Sequence, residues 1–207
     1  TNEFINKYYI DINNIDINSD RKKFSYSLSM QNTGKEILEN AYEMGYFHAN
    51  HENFKVLDFG CGTGWFSLSI LNKVSNIYAL DYSADLLNYL QIESNEMIKG
   101  ILHNELDKYD SFFDLVFSFD VFEHLSDPLE EAISLYKSLR DNGTCIISVP
   151  NFNSYFFNLD ISNHLYFAYP AHLNYFTSKS MKYMLSTAGF KDIIVFDKPG
   201  ISSRSVF

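Results

Sequence analysis

The segment Val56-Leu57-Asp58-Phe59-Gly60-Cys61-Gly62-Thr63-Gly64 constrains this chain more than any other. An apolar run ends in a carboxylate and passes at once into a loop with three alternating glycines. Residues 63–71 then read as the start of a helix. Strand, tight turn and helix in that order build the carboxyl edge of a parallel sheet, where open α/β folds bind their ligands. Glycine tolerates positive φ and places no Cβ between the backbone and a bound molecule. The helix start adds unpaired N–H groups and a partial positive charge. The junction predicts a site for a nucleotide-like ligand.

The remainder repeats this rhythm. Strands are expected at Lys55–Phe59, 76–80 (ending at Asp81), 97–102, Phe113–Phe119, 144–149 and 190–196. Between them lie helical patterns. Residues 84–95 carry Leu86, Leu87, Leu90 and Ile92 as core contacts. The next helix has Ser126 or Asp127 as cap and Pro128 at its first position, with Glu130 and Glu131 at its positive end. Leu129, Ile133, Tyr136 and Leu139 form its apolar stripe. Lys137 and Arg140 sit at the negative end, and Asn142-Gly143 is the stop. A last helix spans 178–188, closed by Gly189. This alternation predicts an α/β fold with a doubly wound, mostly parallel sheet. Residues 1–53 are polar and aromatic with no glycine loop, and read as an N-terminal helical cap with a helix over 32–47. Residues 54–207 read as the ligand-binding domain. The stretch from Pro150 to Phe176 is too long and aromatic for a plain connection and is expected to be functional or disordered.

Glycine spacing narrows the ligand. A dinucleotide fingerprint is G-x-G-x-x-G, whereas Gly60, Gly62 and Gly64 alternate, two residues after Asp58. The stretch resembles motif I of the class I S-adenosylmethionine-dependent methyltransferases. Phe113-Asp114-Leu115-Val116, followed by Glu123-His124-Leu125 and Asp127-Pro128, resembles the signature of their small-molecule branch, which includes ubiquinone-pathway and sugar methyltransferases. So does His172-Leu173-Asn174-Tyr175-Phe176-Thr177 with its distant Ala188-Gly189-Phe190. The resemblance runs from about residue 55 to residue 196. It implies a Rossmann-like methyltransferase fold, S-adenosylmethionine as cofactor with S-adenosylhomocysteine as product, and a final antiparallel strand begun within 201–207.

Several residues acquire roles on that resemblance. Gly60, Cys61, Gly62, Thr63 and Gly64 would pass along the methionine end. Asp81, about twenty residues past the loop, would accept hydrogen bonds from the ribose hydroxyls, since an ionised carboxylate is purely an acceptor. Tyr82 and Ser83 would line the adenosine or the methionine portion. Asp58 would hold the loop and the methionine end, or serve as a structural carboxylate bonding loop N–H groups. Relatives place an Asp on the adenine after strand three. Here His103 or Asn104 would take that place. Ser118, Phe119 and Asp120 would lie beside the sulfonium. Glu123 and His124 would stand where the acceptor arrives, either handling its proton or bracing their loop. His164 and His172 are further candidate bases, or structural hydrogen-bonding groups.

Charge excludes other classes. The chain carries −10 net charge and a pI near 4.9, against the Lys/Arg patches that nucleic acid demands. Strand four is not followed by the Asn/Asp-Pro-Pro-Tyr/Phe motif of amino-directed nucleic-acid methyltransferases, nor by Pro-Cys. No apolar run approaches the ~20 residues of a membrane span. Cys61 and Cys145 read as free thiols in a reducing cytoplasm, with no metal-ligand pattern. The expected activity is methyl transfer to a small-molecule acceptor, oxygen preferred over nitrogen and carbon, with hydroxyls of glycan or nucleotide-sugar precursors leading. A nicotinamide oxidoreductase would need the third glycine one residue later. A non-catalytic cofactor-binding partner protein is the remaining alternative.

Overall fold

The computed structural model describes residues 39–43, 45, 53–153, 170–197 and 204–206. Its central element is β1 (Lys55–Phe59), flanked by β2 (Asn76–Asp81) and β4 (Phe113–Phe119), both parallel to it. With β3 (Ile98–Leu102), β5 (Leu139–Pro150), β6 (Phe196–Asp197) and β7 (Arg204–Val206), the sheet runs β3-β2-β1-β4-β5-β7-β6. β7 is antiparallel to both its neighbours, as the resemblance implied for the tail. Strand order reverses at β1/β4, so the carboxyl ends of these two strands flank the crevice where such sheets bind ligands.

Both sheet faces are covered, so β1 and β4 are almost wholly buried and mainly apolar. Successive residues point to opposite faces. Val56, Ile77, Ala79, Leu115 and Phe117 pack with α1 (Trp65–Ile70) and α2 (Ala84–Glu93) through Phe66, Ile70, Leu87 and Leu90. Leu57, Phe59, Leu80 and Val116 pack with α3 (Pro128–Ser138) and α4 (Ser178–Ala188) through Ala132, Leu135, Met181 and Leu185. Asp114 is a buried polar exception. Its Oδ2 accepts the Lys55 N–H at 2.7 Å and its other oxygen pairs with Arg140.

Caps agree with the sequence. Asp127, rather than Ser126, accepts the Glu130 N–H at 3.1 Å, with Pro128 at the first turn. Thr177 accepts the Ser180 N–H at 3.1 Å to start α4, and Gly189 ends it at φ 113.

Four expectations are corrected. α3 stops at Ser138, not at Asn142-Gly143. β5 pairs Leu139 with Phe113 and Thr144 with Leu115, so β5 advances five residues while β4 advances two, and the surplus forms a bulge with Asn142 at φ 63. Arg140 therefore serves Asp114 instead of a helix end. The deeply buried face of α3 is Ala132, Leu135 and Ser138, with Leu129 and Ile133 at its flank. Tyr136 is 42% exposed and packs edge-on against Phe190, over Gly189. On α2, which ends at Glu93 rather than 95, Leu87 and Leu90 are buried but Ile92 is 74% exposed. Residues 190–195 are not a strand. Phe190 N–H closes back on the Leu185 carbonyl at 3.1 Å and Asp192 takes φ 53, which breaks an extended run before β6.

The N-terminal cap and its helix over 32–47 lie outside the described residues, apart from a helical stretch at 39–43 and Gly45. His164 and most of the aromatic stretch between Pro150 and Phe176 lie outside them also. Among the described residues, no helix is long and apolar enough to cross a membrane.

Candidate active site

The glycine loop leaves β1 and crosses the end of β2. Gly60 and Cys61 both donate their N–H to the Leu80 carbonyl, at 2.8 and 3.0 Å, and Gly64 donates to the Cys61 carbonyl at 2.8 Å. Gly60 lies against Val121, whose Cγ2 would be 2.5 Å from an added Cβ. Gly64 stands at φ 74 with Leu90 filling the place of its missing side chain. That left-handed residue delays the helix, so α1 begins at Trp65 rather than at Thr63. Gly62 differs. Its φ is 53 and nothing among the described residues lies within 4 Å of where its Cβ would be, so that side is open to them.

Asp81 ties the loop to β2. Its Oδ2 accepts the Gly62 N–H at 3.0 Å, and its Oδ1 accepts the Ser83 N–H at 2.9 Å. Burial raises its carboxyl above the ordinary value, against the pull of these bonds. Each carboxylate oxygen still has a further lone pair for a hydroxyl donor. Ser83 is the N-cap of α2, with Oγ 3.4 Å from the Leu86 N–H. Thr63 is exposed on the loop, while Cys61 is buried and burial pushes its thiol up.

Asp58 is buried beneath the loop, accepting the Ser67 hydroxyl at 2.7 Å. Burial pushes its carboxyl up to about 7, only partly opposed by Ser67. Ser118, near the end of β4, is fully buried and its hydroxyl has no hydrogen-bond partner among the described residues. Phe119 packs on Phe66 and Trp65, with ring centroids 4.8 and 5.6 Å apart. Asp120 adopts φ 55, a strained value for a residue with a Cβ. It donates its N–H to the Ser148 carbonyl at 3.0 Å.

Tyr82 and His103 stack with centroids 4.0 Å apart, and His103 Nε2 lies 2.8 Å from Glu131 at the start of α3. The Tyr82 hydroxyl reaches both, at 2.9 Å and 3.1 Å. Asn104 is exposed beside them. Glu131 was visible in the sequence only as a first-turn acid of α3; its contact with His103 depends on how the sheet brings β3 and α3 together.

The other half of the site follows Val121. A single 3₁₀ turn, Phe122–His124, presents Glu123 and His124. The backbone at 171–174 crosses it: Leu173 and Asn174 donate their N–H groups to the Glu123 carbonyl at 2.7 and 2.9 Å. The Asn174 amide reaches the carbonyls of Phe122 at 3.3 Å and Leu125 at 2.6 Å. His124 Nδ1 lies 2.8 Å from the Ala171 carbonyl. This grip sets His172 against His124, with ring centroids 4.7 Å apart and planes at 74°. Glu123 is buried, and both histidines are half-buried. Burial, with the neighbouring His172, pulls His124 down to about 4, so it is neutral near pH 7. Because Val121 abuts Gly60, this cluster and the glycine loop adjoin at one edge of the sheet. The grip of Asn174 escaped sequence reasoning, since its partners are main-chain carbonyls fifty residues away.

The donor set suits one ligand chemistry. The N–H groups of Gly60, Cys61, Gly62 and Gly64 are already engaged by protein acceptors, so this loop is not a phosphate cradle. Its surroundings hold Asp81 and Asp120, acids that favour a cationic ligand over a pyrophosphate. Gly62 leaves room for close approach, Asp81 has acceptor capacity for two hydroxyls, and Ser118 offers a buried hydroxyl with no partner among the described residues. These features fit S-adenosylmethionine.

Comparison with known proteins agrees. A family model described as a methyltransferase domain matches residues 28–194. The chain belongs to the methyltransferase-domain family, in its S-adenosylmethionine-dependent class. The mitochondrial ubiquinone biosynthesis O-methyltransferase of Candida albicans is 31% identical over 127 residues, covering 56% of this chain and 39% of that protein. Malonyl-[acyl-carrier protein] O-methyltransferase 2 of Ilyobacter polytropus is 33% identical over 123 residues, covering 56% of this chain and 47% of that protein. The alignments thus span less than half the length of these two relatives. Among solved structures, the YcgJ protein of Bacillus subtilis superposes with a TM-score of 0.63 at 14% identity, covering 80% of this chain and 71% of that one. Phosphoethanolamine N-methyltransferase 2 of Haemonchus contortus, solved with S-adenosyl-L-methionine, gives 0.59 at 19% identity, covering 80% and 38%. At such identities the likeness is one of fold.

Proposed function

We propose that this protein methylates a hydroxyl of a small-molecule acceptor, with glycan or nucleotide-sugar precursors as the leading substrate class. The observation that carries the reading is the cluster of Glu123, His124 and His172 beside the glycine loop: a carboxylate and two imidazoles are groups that bind and orient an O–H. Two relatives named as O-methyltransferases support oxygen over nitrogen.

Bound S-adenosylmethionine supplies an already activated methyl group on a positive sulfur. The chain's own task is to hold both reactants in line and keep water out. Asp81 accepts from the ribose hydroxyls. The open side of Gly62 lies along the methionine portion, with Gly60, Cys61, Thr63 and Gly64 shaping its path. Asp58 steadies that loop through Ser67. Tyr82 and Ser83 flank the adenosine, with His103 and Asn104 on its adenine side. Ser118, Phe119 and Asp120 form the floor at the sulfonium. Glu123, His124 and His172 receive the acceptor and orient its hydroxyl.

An acceptor screen following S-adenosylhomocysteine release tests this, with nucleotide sugars, polyprenylated phenols, acyl-carrier carboxylates and amines as arms. Turnover should favour nucleotide-sugar hydroxyls. His124→Ala or His172→Ala should lower kcat about 10²–10⁴-fold while cofactor affinity stays near wild type. Turnover confined to amines, or near-normal turnover in both variants, would remove the reading.

A further inference from the structure

Glu123, His124 and His172 each offer one ligating atom, and these atoms all lie within 4.8 Å of one another. Ligands of a tetrahedral cation at the usual ~2.0–2.2 Å stand roughly 3.4 Å apart. Binding a cation would draw the three atoms together from that separation. The cluster is built rather than accidental. Glu123 and His124 share one 3₁₀ turn, and His172 comes from a segment clamped to that turn. The clamp consists of the Leu173 and Asn174 N–H groups on the Glu123 carbonyl and the Asn174 amide on the carbonyls of Phe122 and Leu125. His124 Nδ1 is directed at the Ala171 carbonyl at 2.8 Å, a bond that fixes the orientation of the ring. Metal-binding histidines are oriented by such an outer hydrogen bond.

We propose that Glu123, His124 and His172 bind a first-row divalent cation of the zinc type, which holds and activates the acceptor hydroxyl. Two imidazoles and a carboxylate favour such a cation over magnesium or calcium, which prefer oxygen ligands. Three protein ligands leave a coordination position for an incoming oxygen. On the cation, the acceptor O–H bond breaks and its proton passes to water. The oxygen keeps both electrons and becomes the nucleophile. The cation changes neither charge nor redox state. Lewis-acid activation of this kind brings water from a pKa of 15.7 to about 7, so an ordinary alcohol needs no strong protein base. The cation's role rests on the methyl-transfer reading above, but its binding does not.

The test uses the whole chain without a polyhistidine tag, stripped by a chelator and titrated with Zn²⁺ by calorimetry. Co²⁺ serves as a second probe, through its visible absorption. One cation per chain should bind. His172→Gln and Glu123→Gln should each weaken binding beyond the roughly 10–100-fold that accompanies loss of an outer-shell partner, and Asn174→Ala within that range. Retained binding of S-adenosylhomocysteine shows that each variant is folded. No saturable binding of Zn²⁺ to the wild type, or equal binding by wild type and a folded His172→Gln, would overturn the site. Absence of S-adenosylhomocysteine binding by the wild type, with Zn²⁺ still bound one to one, would instead overturn the methyltransferase reading and leave the cation site standing.

Discussion

Gly62 and Gly64 lie two residues apart at nearly the same backbone angle, yet alanine should act on them in opposite ways. At both, a side chain is forced into the left-handed region, at roughly 1–2 kcal/mol. At Gly64 the new methyl would also fall on the side chain of Leu90, which is 1% exposed and packed in the core with Ile70 and Leu87. Overpacking of that kind adds about 1–3 kcal/mol. Gly64→Ala should therefore lose about 2–5 kcal/mol of stability, a large part of the roughly 5–15 kcal/mol of an ordinary domain. At Gly62 no atom of the described residues stands within 4 Å of where the Cβ would be, so stability should fall by the backbone strain alone. The new methyl would instead fill the space left for the cofactor, and affinity for S-adenosylhomocysteine should drop more than about tenfold, or ~1.4 kcal/mol. Urea unfolding measures the first quantity and calorimetry of the folded variants the second. If Gly62→Ala bound as the wild type does, or lost as much stability as Gly64→Ala, the assignment of one glycine to packing and the other to ligand would be wrong.

Asp58 predicts a pH dependence. Its folded carboxyl titrates at about 7 against an ordinary 3.8, so between those values the folded state keeps a proton that the unfolded state releases. Stability should then fall as pH rises through that window, by about 2–3 kcal/mol between about pH 5 and pH 8. Asp58→Asn should remove that slope in denaturation curves; an unchanged slope would show that Asp58 is not its source. Asp81→Ala should weaken S-adenosylhomocysteine binding by ~1–3 kcal/mol, the worth of hydrogen bonds to a charged group, and unaltered calorimetry would separate Asp81 from the ribose.

Much of the sheet was legible because its signals are local. Lys55–Phe59 and Phe113–Phe119 are mainly apolar runs, and α4 is closed by Gly189, so these elements stand where the sequence places them. The bulge at Asn142-Gly143 was not legible: a left-handed Asn before Gly reads the same whether it ends a helix or takes up slack between two strands. Nor was the face of α3, because Tyr136 fits the apolar period but is displaced by one step when Ala132, Leu135 and Ser138 meet the sheet. At the site, the glycine loop and Asp81 follow from spacing within thirty residues. The meeting of His172 with Glu123-His124 depends on a backbone clamp between distant segments, and no periodicity encodes that.

The clamp also separates what can drift from what is fixed. Leu173 grips the turn only through its N–H, and its side chain is 40% exposed. Selection can therefore exchange that side chain freely while the neighbouring histidine stays in register. Asn174, whose amide reaches two carbonyls, has no such freedom. Descendant genes could thus vary a position adjoining the Glu123-His124-His172 cluster while inheriting its frame unchanged.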